Sequence, residues 1–232
     1  MWTLQFHAFL LTYCIVHLCA NSIVITNKSI KPMRTKRLLL AWLLAWLLPI
    51  TVLADVWQDD QGVNYEYEPG SGVASVKYYW DDGYYERYYV TIPEAIYVNG
   101  ERYVVKEIAR SAFSMKSRLK KVELPIGLIT IGVSAFSGCS NLTTINITEG
   151  VTTIGESAFS GCSSLTSITI PSSVSIIASQ TFQNCTSLST INWVEGLTTL
   201  GTHAFSGCSS LTSINLPSSV VTLESGVFLR LY

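Results

Sequence analysis

Phe113, Phe136, Phe159, Phe182, Phe205 and Phe228 stand in a constant 23-residue step along the chain. The text around them repeats as well: SAFSGCSNLTTINI, SAFSGCSSLTSITI, QTFQNCTSLSTINW, HAFSGCSSLTSINL. Five equal intervals with matching context are not a chance pattern. A unit this short has no room for two packed helices and their turns. Within one unit, Ile168-x-Ile170 has the period of two that belongs to a strand. Pro125, Pro171 and Pro217 stop the strand by removing a backbone donor. Gly138, Gly161 and Gly207 share one position that Asn184 fills in the odd repeat, which predicts a left-handed turn. One unit alone buries too little apolar surface to offset the ordering of its backbone. Successive units must therefore stack, each covering the next. At about 4.8 Å per strand, five coils make a rod about 25 Å long.

A period between about 20 and 29 residues with a Leu-x-x-Ile-x-Ile core is leucine-rich-repeat spacing. The unit Ala158-Phe159-Ser160-Gly161-Cys162-Ser163-Ser164-Leu165-x-x-Ile168-x-Ile170-Pro171 closely resembles the BspA-like leucine-rich-repeat family. The match runs from Gly62 to Phe228, weakly before Ile92. The resemblance implies a β-rich, right-handed solenoid of 23-residue coils and a role in extracellular binding. Members are surface and secreted proteins of anaerobic host-associated bacteria and of some protozoan parasites. Several are adhesins for host extracellular-matrix proteins. Binding surfaces differ between members, so no contact residue is carried across. Two departures stand out. Lys116 takes the cysteine place in the first unit, and Thr148 and Val194 replace the strand-ending proline. Those two coils are expected to turn differently.

Residues Met33 to Ala54 read MRTKRLLLAWLLAWLLPITVLA: a basic start, an apolar run and a small residue before Asp55. That is the layout of a cleaved secretory signal. The alternative is a membrane anchor, for which the run is short and interrupted by Pro49. Residues 1–32 are a doubtful extension, with an apolar run from Phe6 to Ala20 and no basic residue before it. Translation is expected to begin at Met33. From Asp55 onward ten Lys and Arg face sixteen Asp and Glu. An acidic chain argues against nucleic acid, which requires a cationic surface.

From Asp55 to Val105 the period disappears and aromatic residues crowd in. Lys77 to Tyr85, around Asp82-Gly83, reads as one β-hairpin, and Ile96 to Val104, around Asn99-Gly100, as another. Residues 55–105 are expected to cap the first coil, and residues 106–232 to form the solenoid. After Phe228 the expected Ser-Gly-Cys gives way to Leu229-Arg230-Leu231-Tyr232. An exposed apolar face is predicted at that end, from a truncated sequence or from a junction with another chain.

Chemistry is sparse. Cys139, Cys162, Cys185 and Cys208 recur one per coil and point the same way, so they read as buried thiols and not as disulfides. One cysteine per coil, with no close pair, does not suit zinc. His203 is the only histidine beyond the signal, and no partner arrangement for a nucleophile accompanies it. The carboxylates Glu149 and Glu195 lie two repeats apart, too far to share a water. No enzyme, cofactor or metal is expected. Two features point to ligands. The first is the aromatic cluster, with Tyr79, Trp80, Tyr84 and Tyr85 as candidate contacts. The second is the strand surface, where Asn146, Thr169, Asn192 and Asn215 should line up in an uncharged ladder. A basic stretch containing Arg102, Lys106, Arg110, Lys116, Arg118, Lys120 and Lys121, opposed by Glu107 and Glu123, is a further candidate for an anionic partner. The expected function is secreted or cell-surface adhesion to a host or matrix protein. The alternatives are a carbohydrate-binding accessory protein or a structural spacer in a larger surface protein.

Overall fold

The computed structural model describes residues 55–80 and 88–230. The signal segment 33–54, the extension 1–32 and the Asp82-Gly83 turn lie outside the described residues. The described chain is β-rich, and no helix in it is long and apolar enough to cross a membrane.

Three strands open it: β1 (Asp55–Gln58), β2 (Val63–Tyr67) and β3 (Val73–Tyr79) pair antiparallel in order. Next come β4 (Tyr89–Thr91), β5 (Ala95–Val98) and β6 (Glu101–Ile108). The second predicted hairpin is present. β5 and β6 pair antiparallel around Asn99 and Gly100, both at positive φ, as a two-residue hairpin turn requires. The first predicted hairpin turns at Asp82-Gly83, outside the described residues. β3 pairs antiparallel with β2 on one edge and, over Val73 to Val76, in parallel with β6 on the other. β4 joins a different sheet.

From β6 onward every parallel pair joins equivalent positions of adjacent coils, as Ile108 with Ile131 and Ile131 with Ile154. The register of the strands is therefore the period of the phenylalanines. One face carries β6, β8 (Thr130–Ile131) and β10 (Thr153–Ile154), and then β12 (Ile176–Ile177), β14 (Thr199–Leu200) and β15 (Thr222–Leu223). The other carries β4, β7 (Lys121–Glu123) and β9 (Thr144–Ile145), and then β11 (Ser167–Thr169) and β13 (Thr190–Asn192).

The repeated phenylalanines form one buried column. Adjacent rings from Tyr79 through Phe113 to Phe228 stack with centroids 5.1 to 5.9 Å apart. The backbone around this column binds forward along the chain. Phe113, Phe136, Phe159, Phe182 and Phe205 each donate an N–H to a carbonyl one unit ahead, at 2.7 to 2.9 Å. On the strands the direction reverses, as where Thr152 donates to Ile129 and Val221 to Thr198, both at 2.9 Å. Each coil is thus fastened to both neighbours.

The turn predicted from Gly138, Gly161, Asn184 and Gly207 is left-handed at all four, with φ of 73°, 73°, 58° and 78°. A second left-handed column was not signalled. Ser111, Ser134, Ser157, Gln180 and His203 occupy it at φ of 55° to 58°, and only Gly226 hints at it in the sequence. The coils lacking the proline do turn differently: Gly150 and Gly196 adopt φ of 101° and 122°. In the last coil Val221, Leu223 and Leu229 are exposed, whereas the counterparts of Leu223, from Ile108 to Leu200, are buried. The expected apolar exposure is present because no described segment lies over that coil.

Two substitutions test this packing. A Cβ at Gly155 would lie 2.5 Å from the Val133 nitrogen, a backbone atom that cannot move aside. Gly155→Ala should cost about 1–3 kcal/mol, as overpacking does. Phe159→Ala opens the middle of the ring column and should cost about 3–5 kcal/mol. Urea unfolding followed by circular dichroism reads both, and wild-type midpoints would contradict the stack.

Candidate binding face

Alternation along a parallel ladder sends every second side chain outward, and a register of one full coil aligns those side chains in rows. On the face of β4, β7, β9, β11 and β13, one row runs Tyr89, Lys121, Thr144, Ser167, Thr190. The next runs Thr91, Glu123, Asn146, Thr169, Asn192. The four predicted ladder residues Asn146, Thr169, Asn192 and Asn215 are all exposed. Asn192 donates its amide to the Thr169 hydroxyl at 3.2 Å. The ladder therefore has the geometry expected of it between Thr169 and Asn192.

The aromatic candidates separate. Trp80 is 56% exposed and available to a ligand. Tyr79 is corrected: it is 3% exposed, and its ring stacks on Phe113 at 5.4 Å, so it belongs to the core. Ala74 and Val76 face inward, and an irregularity in the β2–β3 register at Lys77 then reverses the alternation, turning Tyr78 outward and Tyr79 inward. Tyr84 and Tyr85 lie outside the described residues.

Much of the basic stretch serves the fold. Lys106 donates to the Gly127 carbonyl at 3.0 Å, and Lys121 pairs with Glu123 at 2.8 Å. Lys116 lies over the Tyr79 ring and Lys120 over the Tyr88 ring. The carboxylates are similarly placed. Asp59 accepts the N–H groups of Gln61 and Val63 and the Tyr65 hydroxyl. Burial, then the Asp59 charge, pushes the Tyr65 phenol well above its usual range. Glu149 and Glu195 are exposed and accept from Ser172 and Ser218 one coil on. His203 faces the Gly226 carbonyl at 3.3 Å. Among the described residues no three His, Cys, Asp or Glu side chains are grouped to hold a metal ion.

Two sequence clusters, the aromatic run and the basic stretch, meet on the strand face. The parallel register of β4 and β7 sets Tyr89 beside Lys121 and Thr91 beside Glu123. Thr91 is itself clamped. Its N–H donates to the Gln61 side-chain oxygen at 2.9 Å, and its carbonyl accepts the Gln61 amide at 2.8 Å. Hydrogen bonds from Lys121, then from Thr91, hold the Glu123 carboxyl below the usual range.

The four cysteines are buried and unpaired with one another. Each thiol donates to the carbonyl of the phenylalanine one coil back, Cys139 to Phe113 and so on to Cys208 and Phe182, at 3.0 to 3.2 Å. Aligned side chains in successive coils explain the absence of bridges.

Parallel strands that repeat once per coil around a buried Phe, Leu and Ile core are the architecture of a leucine-rich-repeat protein. The model of the BspA type Leucine rich repeat region matches residues 106–231 in six copies. The chain belongs to that family. No curated protein matches it in sequence. Among solved structures it is similar to a leucine-rich repeat protein from Bacteroides ovatus, at 28% identity and a TM-score of 0.57, over 75% of this chain and 50% of that one. It is also similar to the leucine rich repeat protein of T. pallidum, at 26% identity and a TM-score of 0.56, over 74% and 87%. The pneumococcal vaccine antigen PcpA shares the fold, at 22% identity and a TM-score of 0.63, over 77% and 48%. A leucine rich cell surface protein from Faecalibacterium prausnitzii also shares the fold, with 52% of its length covered. The chain thus spans about half the length of several of these neighbours.

Burial pushes the Cys139 and Cys208 thiols up to about 12, and those of Cys162 and Cys185 well above the ordinary value. A raised thiol keeps its proton in the folded chain while the unfolded chain loses it. Its contribution is whole below the ordinary thiol range and is lost as pH climbs through the folded value. All four thiols should resist a disulfide-forming thiol reagent at pH 8 and react in urea, and stability should fall above about pH 9. Rapid labelling of the native protein would refute the burial.

Proposed function

We propose that this chain is a secreted or cell-surface binding protein, without enzymatic activity, whose leucine-rich-repeat stack holds a host or extracellular-matrix protein. The observation that carries this reading is the strand face. A rigid scaffold presents Asn146, Thr169, Asn192 and Asn215 in one exposed, uncharged row. Burial of the repeated positions leaves this outer surface as the part free to vary. Membership of the BspA-type family, and likeness to a protein described as a cell surface protein and to a vaccine antigen, support an extracellular setting. In this reading residues 33–54 are a signal peptide and 55–105 cap a right-handed solenoid formed by 106–232. The pairing of β3 with β6 and the Tyr79 ring over Phe113 support the cap.

The test is solid-phase binding. The purified chain should be retained on at least one of a panel of immobilised matrix proteins and mucin. Replacing Asn146, Thr169, Asn192 and Asn215 together by Ala should weaken retention by about tenfold or more, since several central contacts are lost at once. Absence of retention across the panel would remove the adhesion reading. N-terminal sequencing of secreted protein should begin at Asp55.

A further inference from the structure

The strand face is not uniform. β4, β7 and β9 form one ladder and β11 with β13 another, with no ladder between β9 and β11. An open groove of about 490 Å³ straddles that break, and Glu123, Ile126, Thr144, Asn146 and Ser167 are among its lining. Its apolar and polar character is mixed. Ile126 is 71% exposed in the lining, and Tyr89, 66% exposed, stands beside Lys121 at the end of the row. The rest of the lining is the buried apolar side chains Val122, Leu124, Ile145 and Ile168 at its floor, with hydroxyls, an amide and an ion pair whose charges cancel.

These side chains are held ready for a ligand. Glu123 is fixed between Lys121 and Thr91, at 2.8 and 3.1 Å, and Gln61 clamps Thr91 from behind. Elsewhere the hydroxyls of Ser163, Thr186, Ser189 and Thr198 bond to the carbonyl one coil back. The side chains of Thr144, Asn146 and Ser167 make no such bond among the described residues, so their donors and acceptors face the groove.

We propose that this groove binds a neutral, hydroxyl-rich oligosaccharide lying along the stack, with one sugar ring on Tyr89 and its hydroxyl groups on Glu123, Thr144, Asn146 and Ser167. The assignment rests on the strand face as the binding surface and specifies the ligand class at its N-terminal end. A sugar has an apolar C–H face and a polar edge, which is the pairing that an exposed ring and a hydroxyl-amide row offer. Coils about 4.8 Å apart match one coil to about one ring of an extended chain. A cancelled ion pair selects against a highly charged polymer.

Calorimetric titration of the full chain with cellohexaose, xylohexaose and mannohexaose, against a heparin hexasaccharide, tests it. At least one neutral hexasaccharide should bind more tightly than heparin. Tyr89→Ala should weaken that binding by about tenfold, in line with the loss of one aromatic contact. Asn146→Ala should weaken it too, and Thr212→Ala, exposed and outside the groove, should leave it unchanged. Every one of these side chains is exposed, and matching melting temperatures will establish that the variants fold. No binding by any neutral sugar, preference for heparin, or indifference to Tyr89→Ala would overturn the proposal. Retention on matrix proteins that persists without sugar binding would leave the adhesion reading standing while this one falls.

Discussion

The structure depends on one requirement: each phenylalanine ring must land on the ring of the coil before it. Stacked at 5.4 Å through the middle of the column, the rings allow each coil only one height and one rotation relative to its neighbour. Every other repeated residue serves that fit. Small residues such as Gly155 sit where backbones of adjacent coils nearly touch. A cysteine follows each of four phenylalanines because a thiol is small, tolerates burial and can still donate to the carbonyl of the previous ring's residue. A serine hydroxyl would bring a stronger demand for partners into the same dry place.

A period imposed from inside is also imposed outside. Because the inward positions recur once per coil, the outward ones align without any selection for alignment. That explains how a ladder of Asn and Thr comes to lie in one exposed row. The informative places are where the repeat is broken. Tyr89, Lys121 and Glu123 stand at the N-terminal end of the strand face and carry side chains that the later rungs lack.

The N-terminal segment shows the limits of local signals. Asn99-Gly100 and Asp82-Gly83 read alike as turns. The first joins β5 to β6, while β3 takes as its parallel partner β6, a strand distant in sequence that no turn signal announces. Likewise, the aromatic run announced an inner and an outer set, but alternation alone does not say which member is which. The shifted register with β2 decided it, and put Tyr79 at the base of the ring column and Tyr78 in solvent. The left-handed backbone at Ser111 and its successors was equally hidden, because serine, glutamine and histidine carry no mark of that conformation.

By itself the sequence determined the period, the strand class, the buried set and the free thiols, since each follows from residue type and spacing within a single unit. The tertiary structure alone decided which segments pair, which aromatic faces inward, and which side chains from separate clusters meet. Those outcomes depend on how distant strands compete for the same edges and core space, and no short stretch of residues encodes that competition.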